Sequence, residues 1–504
     1  MNNGARGKGL PKGKAKELNG LVQDLLHFSF GQPCNHAEWL AQHRNMVGVL
    51  DRIRRIEPKL RTTNGQSRME NVHHFTRWAI EQGCKVGNVR VAEHTEYGGL
   101  GLESTGHIPA GQRIVTVPRK LFFYVPNEPR YRKLLAMMPN AKMSEQGNVM
   151  LALALIIERF GANSFWKPYL DVLPDRYTTP LYYTPEDMAE LHETEASLPA
   201  LKLCKQIARQ YIFIRNYVQD RVDELRDCFT YDVFRWAVST VMTRQNKVPV
   251  NLAGFDGMDF TLALIPFWDM ANHAYPDARE QEDRCVAETC YNATDGQLEC
   301  ALTREMSATS PVPIFIVYGK RTDAEFLVHN GFVCPRNPYT SLTKRFTVPR
   351  SMVEKQAHLL ELLGIPSSGM FAFGLATGSQ LPEPISPELV AIARVQAMAE
   401  QELDHYIALD ATERQKLCCS YRSDLPDKLC EGTDRTIRAM ITDLLNCYPT
   451  TIEQDETLLQ ANRQMHHIRR LLIEYRIAEK QTIRSWATSG KDTAGEQAIS
   501  TDGE

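Results

Sequence analysis

The sequence predicts an α+β protein: a sheet of short strands interrupted by a helical insert, followed by an all-helical C-terminal domain. Three observations carry that prediction. Between about residues 87 and 335, segments such as "KVGNVRVAEH", "HIPAGQRIVTVPRKLFFYV" and "TLALIPFW" set β-branched residues between Gly and Pro breaks, the texture of short strands joined by turns. Inside that span, at about 130–245, "NVMLALALIIERF" and "YDVFRWAVSTVM" read as helices, the first apolar nearly all round and so packed on several sides. Over 340–487 the helical period returns, in Ile392, Val395, Ala399, Leu403 and Tyr406, then in Leu458, Met465, Ile468, Leu472 and Tyr475.

The flanking regions follow from the same rules. The stretch 1–20 carries Arg6, Lys8, Lys12, Lys14 and Lys16 without the apolar core of a leader peptide, and is expected to be a solvated, disordered tail. Over 21–86, Leu21, Leu25, Trp39, Val47, Leu50 and Ile53 alternate with charge at the spacing of short amphipathic helices. Residues 488–504 are polar and aperiodic, a second disordered tail.

Bulk composition excludes some partners. At 504 residues and 43% hydrophobic content, the chain can build two or three cores. A net charge of -3 gives no general attraction to nucleic acid or to an acidic membrane. The longest apolar run, "MLALALII", is shorter than the ~20 residues that cross a bilayer. The 12 cysteines are scattered, with no CxxC pair, as in a protein of a reducing compartment. The expected state is a monomer in the cytoplasm, with the nucleus as a second compartment.

Four stretches place polar residues where a strand or helix ends, the usual position of a cleft: "GGLGL" at 98–102, "TRQNKVP" at 243–249, "WDMANH" at 268–273 and "IFIVYGKRTDAEFLVHNGF" at 314–332. Singly, each also reads as turn or core. In joint order and spacing they resemble the SET-domain methyltransferases of the Rubisco-methyltransferase branch, whose sheet is the SET β-fold with a helical insert and a helical substrate-binding domain. "SFWKPYLDVLPDRYTTPLYY" and "FRWAVSTVMTRQN" are similar to the actin-histidine methyltransferases within that branch.

The resemblance implies S-adenosylmethionine as methyl donor, S-adenosylhomocysteine as product, and actin as protein substrate. Arg68 and Arg244 would hold the donor's carboxylate. Gly98, Gly99 and Leu100 would bring backbone close to it, with Asp269, Asn272 and His273 nearby and Asn330, Gly331 and Phe332 lining the outer part. Tyr318 would be the catalytic Tyr. Trp268 would wall the acceptor slot, Val248 and Ile316 would make apolar contact with the bound peptide, and Arg321 and Arg209 polar contact.

Acid–base chemistry then separates two acceptors. Lysine, with a free pKa of about 10.4, must lose a proton before it attacks, whereas histidine, at about 6.5, is mostly neutral at pH 7 and needs orientation instead. Asn246 can accept from one imidazole N–H and so aim the opposite, tele nitrogen at the methyl group. Lysine-directed relatives tend to carry an aromatic residue there. The alternatives are lysine methylation on the same fold and a SET-fold adaptor that transfers nothing. No metal is expected: only Cys334 closely follows the Tyr318 motif, without a CxC, and His73-His74 and His466-His467 are sequence neighbours that point apart. Two departures concern access to the peptide groove: "SATSPVP" replaces a Gly-Glu turn, and 279–297 is long and acidic.

Overall fold

The computed structural model describes residues 10–94, 99–125, 129–138, 147–249, 260–276, 285–306, 311–334, 337–348, 352–366, 368–374, 385–418 and 425–488. They divide into two compact units, one drawn from 1–185, 200–319 and 329–331, the other from 186–199, 320–328 and 332–504.

The first unit opens with helices α1 (Lys12–Phe30), α2 (His36–Ile56) and α3 (Arg68–Glu81). Helix α1 starts inside the stretch expected to be a disordered tail. The cause is apolar anchoring: Leu18, Leu21, Val22 and Leu25 are buried at helical spacing, and Lys12, Lys14 and Lys16 occupy the exposed side of the same helix. Strands β1 (Lys85–Val86), β2 (Val89–His94), β3 (Gly99–Ser104) and β4 (Arg113–Val117) follow.

The insert then supplies α4 (Arg132–Met137), α5 (Gly147–Phe160), α6 (Lys167–Leu170), α7 (Pro185–Glu190), α8 (Ser197–Tyr217) and α9 (Tyr231–Arg244). Most of α7 belongs to the second unit. Helix α5 buries every residue from Val149 to Glu158, as its all-round apolar sequence predicts, and packs on α9. After α9 come β5 (Asn246–Pro249), β6 (Phe260–Ala263), β7 (Asn272–His273), β8 (Cys285–Asn292), β9 (Gln297–Leu302) and β10 (Pro313–Ile316).

The main sheet runs β1-β4-β9-β8-β10-β3-β2, with β7 also paired to β10, while β5 and β6 form a separate hairpin. Period-two patterning sets the faces: Val89 and Val91 are buried around exposed Arg90, as are Leu298, Cys300 and Leu302 on β9. Strand β10 is central, antiparallel to β3 and parallel to β7 and β8. The acidic 279–297 segment contains all of β8 and the turn into β9, so its extra length is in part a β-hairpin.

The second unit holds α10 (Asp323–Glu325), β11 (Ser341–Thr347), α11 (Glu354–Leu362), β12 (Ser368–Gly374), α12 (Pro387–Ala397), α13 (Glu400–Ala408), α14 (Ala411–Gln415), α15 (Asp427–Asn446), α16 (Ile452–Ala461) and α17 (His467–Thr488). It is helical around a core that includes Leu389, Ile392, Val395 and Ile441, yet not all-helical as expected. Strands β11 and β12 pair antiparallel, with β-branched Thr343 and Thr347 on β11 and buried Leu342 facing the helices.

Candidate functional site

The site begins with two arginines at opposite kinds of helix end. Arg68 is the first residue of α3, held there by a reciprocal cap in which Ser67 Oγ accepts from the Glu70 N–H and the Ser67 N–H donates to Glu70. Its Nε donates to the Val172 carbonyl at 2.7 Å. Arg244 is the last residue of α9, and its Nη1 donates to the Asp269 carbonyl at 2.6 Å and stands 3.4 Å from Asp269 Oδ1. Burial first, and then the neighbouring Arg244 charge, depress the Arg68 guanidinium to about 10. Burial is the largest influence on Arg244 and acts in the same sense, but Asp269 together with Tyr169, Tyr177 and Tyr318 overcomes it and holds Arg244 firmly charged.

Asp269 lies in a buried turn, Trp268–Met270, without capping it. One carboxylate oxygen accepts from the Tyr169 hydroxyl. Burial raises this carboxyl to about 6, against the opposing pull of Arg244, Tyr169 and Arg68. Asp269 is therefore the counter-ion of Arg244. Arg68 and Arg244 face one buried carboxylate, with the exposed Asp175 also near Arg68, and Arg244 Nε and Asp269 Oδ1 have no hydrogen-bond partner among the described residues. Tyr177, whose hydroxyl pairs with Thr240 Oγ1 at 2.7 Å, closes the same cluster beside Arg244.

The glycine motif serves these side chains. Gly98 lies outside the described residues. Gly99 has φ +132°, and a Cβ there would stand 2.9 Å from Arg68 Nη1. At Gly101 a Cβ would meet Asn272 Nδ2 and His94 Cδ2, both at 2.7 Å. The missing side chains thus admit Arg68 and Asn272 to the β3 backbone, and Asn272 Nδ2 reaches the Leu100 carbonyl at 3.4 Å.

Parallel pairing of β7 with β10 puts His273 opposite Ile316, just before Tyr318. His273 Nδ1 lies between two backbone groups, the Tyr318 N–H at 3.1 Å and the Ile316 carbonyl at 3.2 Å, which fix the ring beside the Tyr318 main chain. The Tyr318 hydroxyl donates to the Ala271 carbonyl at 2.9 Å. The two rings stand 5.2 Å apart.

Asn246 starts β5 directly after α9. Its Nδ2 donates to the Arg244 carbonyl at 3.1 Å, and because a carbonyl only accepts, the amide is oriented with Oδ1 away from that bond. The half-buried carboxamide is thereby tied to the main chain of the residue whose side chain meets Asp269. Trp268 is buried with Nε1 on Thr289 Oγ1 at 2.9 Å. Val248 and Ile316, at 2% and 1% exposure, are packed inside the unit, and neither offers an open apolar face.

Gly331, at φ +78°, packs against Thr178, whose hydroxyl donates to its carbonyl at 2.5 Å; a Cβ there would stand 2.6 Å from Thr178 Oγ1. Asn330 ends a π-turn, Phe326–Asn330, with Nδ2 3.5 Å from the Thr243 carbonyl. Arg209 lies over the Phe30 ring at 4.6 Å, in the company of α1. Phe332 and Arg321 belong to the second unit, where the Phe332 ring lies tilted against Phe326 at 4.9 Å and the Arg321 carbonyl accepts from Asn337 Nδ2 at 2.8 Å. Among the described residues no group of His, Cys, Asp and Glu is arranged to hold a metal, and no helix is long and apolar enough to cross a membrane.

Sequence reasoning missed Tyr169, Tyr177 and Gly101. Gly101 was visible as the third glycine of "GGLGL"; the tyrosines lie in the insert, where a buried Tyr reads as core.

This geometry can be set beside known proteins. Residues 350–483 match the family described as Rubisco LSMT substrate-binding. Over 482 residues the chain is 32% identical to the actin-histidine N-methyltransferase of Gallus gallus, covering 93% of this chain and 76% of that protein. The chain belongs to the actin-histidine N-methyltransferase family. The Rattus norvegicus member is 33% identical over the same coverage. In fold, the chain is similar to the SET domain of LSMT bound to lysine and AdoHcy, with a TM-score of 0.58 at 20% identity over 84% of this chain and 91% of that one. Rubisco LSMT bound to AdoMet gives a TM-score of 0.56 at 20% identity, covering 83% and 90%. The fold is that of a SET-domain protein, and the chain is a protein methyltransferase.

Proposed function

We propose that this chain transfers a methyl group from S-adenosylmethionine to the tele nitrogen of a histidine in actin, acting in the cytoplasm. The names of its relatives support the substrate, and the oriented Asn246 carboxamide carries the choice of acceptor. The donor's carboxylate suits the neighbouring guanidinium groups of Arg68 and Arg244, where a buried Arg244 nitrogen has no hydrogen-bond partner among the described residues.

When bound, the donor supplies an electrophilic methyl group on a sulfonium. Arg244 and Arg68 would hold its carboxylate, and the β3 backbone at Gly99 and Leu100 would line it. Asn246 Oδ1 accepts the N–H of the acceptor's pros nitrogen, so the lone pair of the tele nitrogen faces the methyl. No base is required to create this nucleophile, because a neutral imidazole already carries the lone pair. Tyr318 shapes the opposite wall, its hydroxyl fixed by the Ala271 carbonyl and its backbone by His273. The proton of the new imidazolium leaves to water.

The test is transfer of labelled methyl to purified actin, with the labelled peptide mapped by mass spectrometry. The reading predicts label on one histidine and its loss when that histidine is replaced by Ala. Label on a lysine would overturn it, and an absence of label would favour an adaptor.

A further inference from the structure

We infer that Tyr169 is a positioning residue for the methyl-donor pocket: by donating its hydroxyl to the Asp269 carboxylate it fixes the partner that aims the Arg244 guanidinium. The inference rests on reading Arg244 as the partner of the donor's carboxylate.

Tyr169 lies on α6, fully buried, 6.1 Å from the Phe75 ring. Phe75 in turn stacks at 5.9 Å on Phe267, whose φ of 73° and ψ of -52° form a strained backbone step into the Trp268–Met270 turn. The Tyr169 ring is thus held by packing, and its hydroxyl is committed to one Asp269 oxygen. The other oxygen faces Arg244 Nη1 at 3.4 Å, while the Asp269 carbonyl takes a 2.6 Å bond from that same nitrogen. With one oxygen anchored, the carboxylate cannot rotate away from the guanidinium. The Arg244 carbonyl holds Asn246, so the same anchor supports the acceptor side.

The groups that face Asp269 are Arg68 from α3, Tyr169 from α6 and Arg244 from α9, with Tyr177 beside Arg244. Burial raises the Asp269 carboxyl to about 6, and the Tyr169 hydroxyl acts against that rise. Losing the hydroxyl moves the carboxyl higher and neutralises the Arg244 partner nearer to neutral pH.

The experiment is calorimetric binding of S-adenosylhomocysteine to the full chain, without acceptor, from about pH 5 to about pH 8. Tyr169→Phe is expected to bind roughly five- to tenfold more weakly at pH 7, and the pH below which binding fails should move upward. Unchanged affinity and an unchanged acid limb would overturn the inference. So would a lowered melting temperature with an unmoved limb, which assigns Tyr169 to packing alone. Asp269→Asn is the second variant: its limb should vanish, and adding Tyr169→Phe to it should change affinity less than about twofold. A full further loss in that background would also overturn the inference. An unsubstituted chain that binds no S-adenosylhomocysteine at any pH overturns the functional reading and the inference with it.

Discussion

Each unit buries an ionic cluster, and the two clusters are finished differently. In the second unit Asp455 receives a forked pair from Arg476, at 2.8 and 2.6 Å, and Lys480 at 2.5 Å. Burial would raise that carboxyl, but the bonds from Arg476 and Lys480 prevail and lower it. Glu479 accepts from Lys344, Tyr448, Tyr475 and the Glu195 N–H. In the first unit, by contrast, Arg68 and Arg244 share one buried carboxylate, with exposed Asp175 also near Arg68, and both Arg244 Nε and Asp269 Oδ1 are left without a hydrogen-bond partner among the described residues. The Asp455 cluster pairs its charges internally, and such a network serves the fold. One that leaves a buried guanidinium donor unpaired keeps hydrogen-bonding capacity that an anion can use.

The largest effect expected from this contrast is on stability in the second unit. Asp455→Ala removes the carboxylate shared by two buried cations, leaving Arg476 on Glu190 and Lys480 on the Thr450 carbonyl, and should cost about 3 kcal/mol, measured by denaturant unfolding. A cost below about 1 kcal/mol would break the comparison. Asn246→Ala should do the opposite, lowering kcat/KM toward the acceptor roughly a hundredfold, about 2.7 kcal/mol, while leaving the melting temperature within a few degrees. A stability loss as large as that of Asp455→Ala would show that Asn246 belongs to the core.

Gly101→Ala pushes a methyl group into Asn272 and His94, and should cost about 1–3 kcal/mol and weaken methyl-donor binding together. Wild-type affinity in that variant would separate Asn272 from the donor pocket.

The smallest effect concerns Glu195. Burial, reinforced by the Glu479 charge, raises its carboxyl to about 8, so it is protonated in the fold and ionised in the unfolded chain across the intervening range. Its contribution to stability is fully present below the ordinary carboxylate range and lost as pH rises through about 8. The melting temperature should therefore fall with pH over that window, and Glu195→Gln should flatten the slope. An equal slope in both proteins would remove Glu195 from the account.

The parts of this fold legible in sequence were those written as periodicity. The C-terminal helices carry the 3.6 period, α5 a continuous apolar run, and β2 and β9 alternate at two. What escaped was set by tertiary partners. Strand β7 is two residues long and exists because β10 lies beside it. The positive φ of Phe267 has no local signal in "IPFWDM". Hairpin β11–β12 sits in a helical region, and α1 starts early because Leu18 finds a core. The site divides in the same way. Arg244, Asn246, Asn272, His273 and Tyr318 sit in motifs, whereas Tyr169 gains its place from a carboxylate a hundred positions away. Asp269 was expected at the cofactor, and the structure shows it as the partner of Arg244.

The most direct test of the central claim, that one carboxamide aims a neutral imidazole, is the chemical identity of the product. Methylated actin is hydrolysed to amino acids and the labelled one identified by chromatography against standards. The account predicts tele-methylhistidine, and its depletion with Asn246→Ala. Recovery of pros-methylhistidine or methyllysine would contradict it.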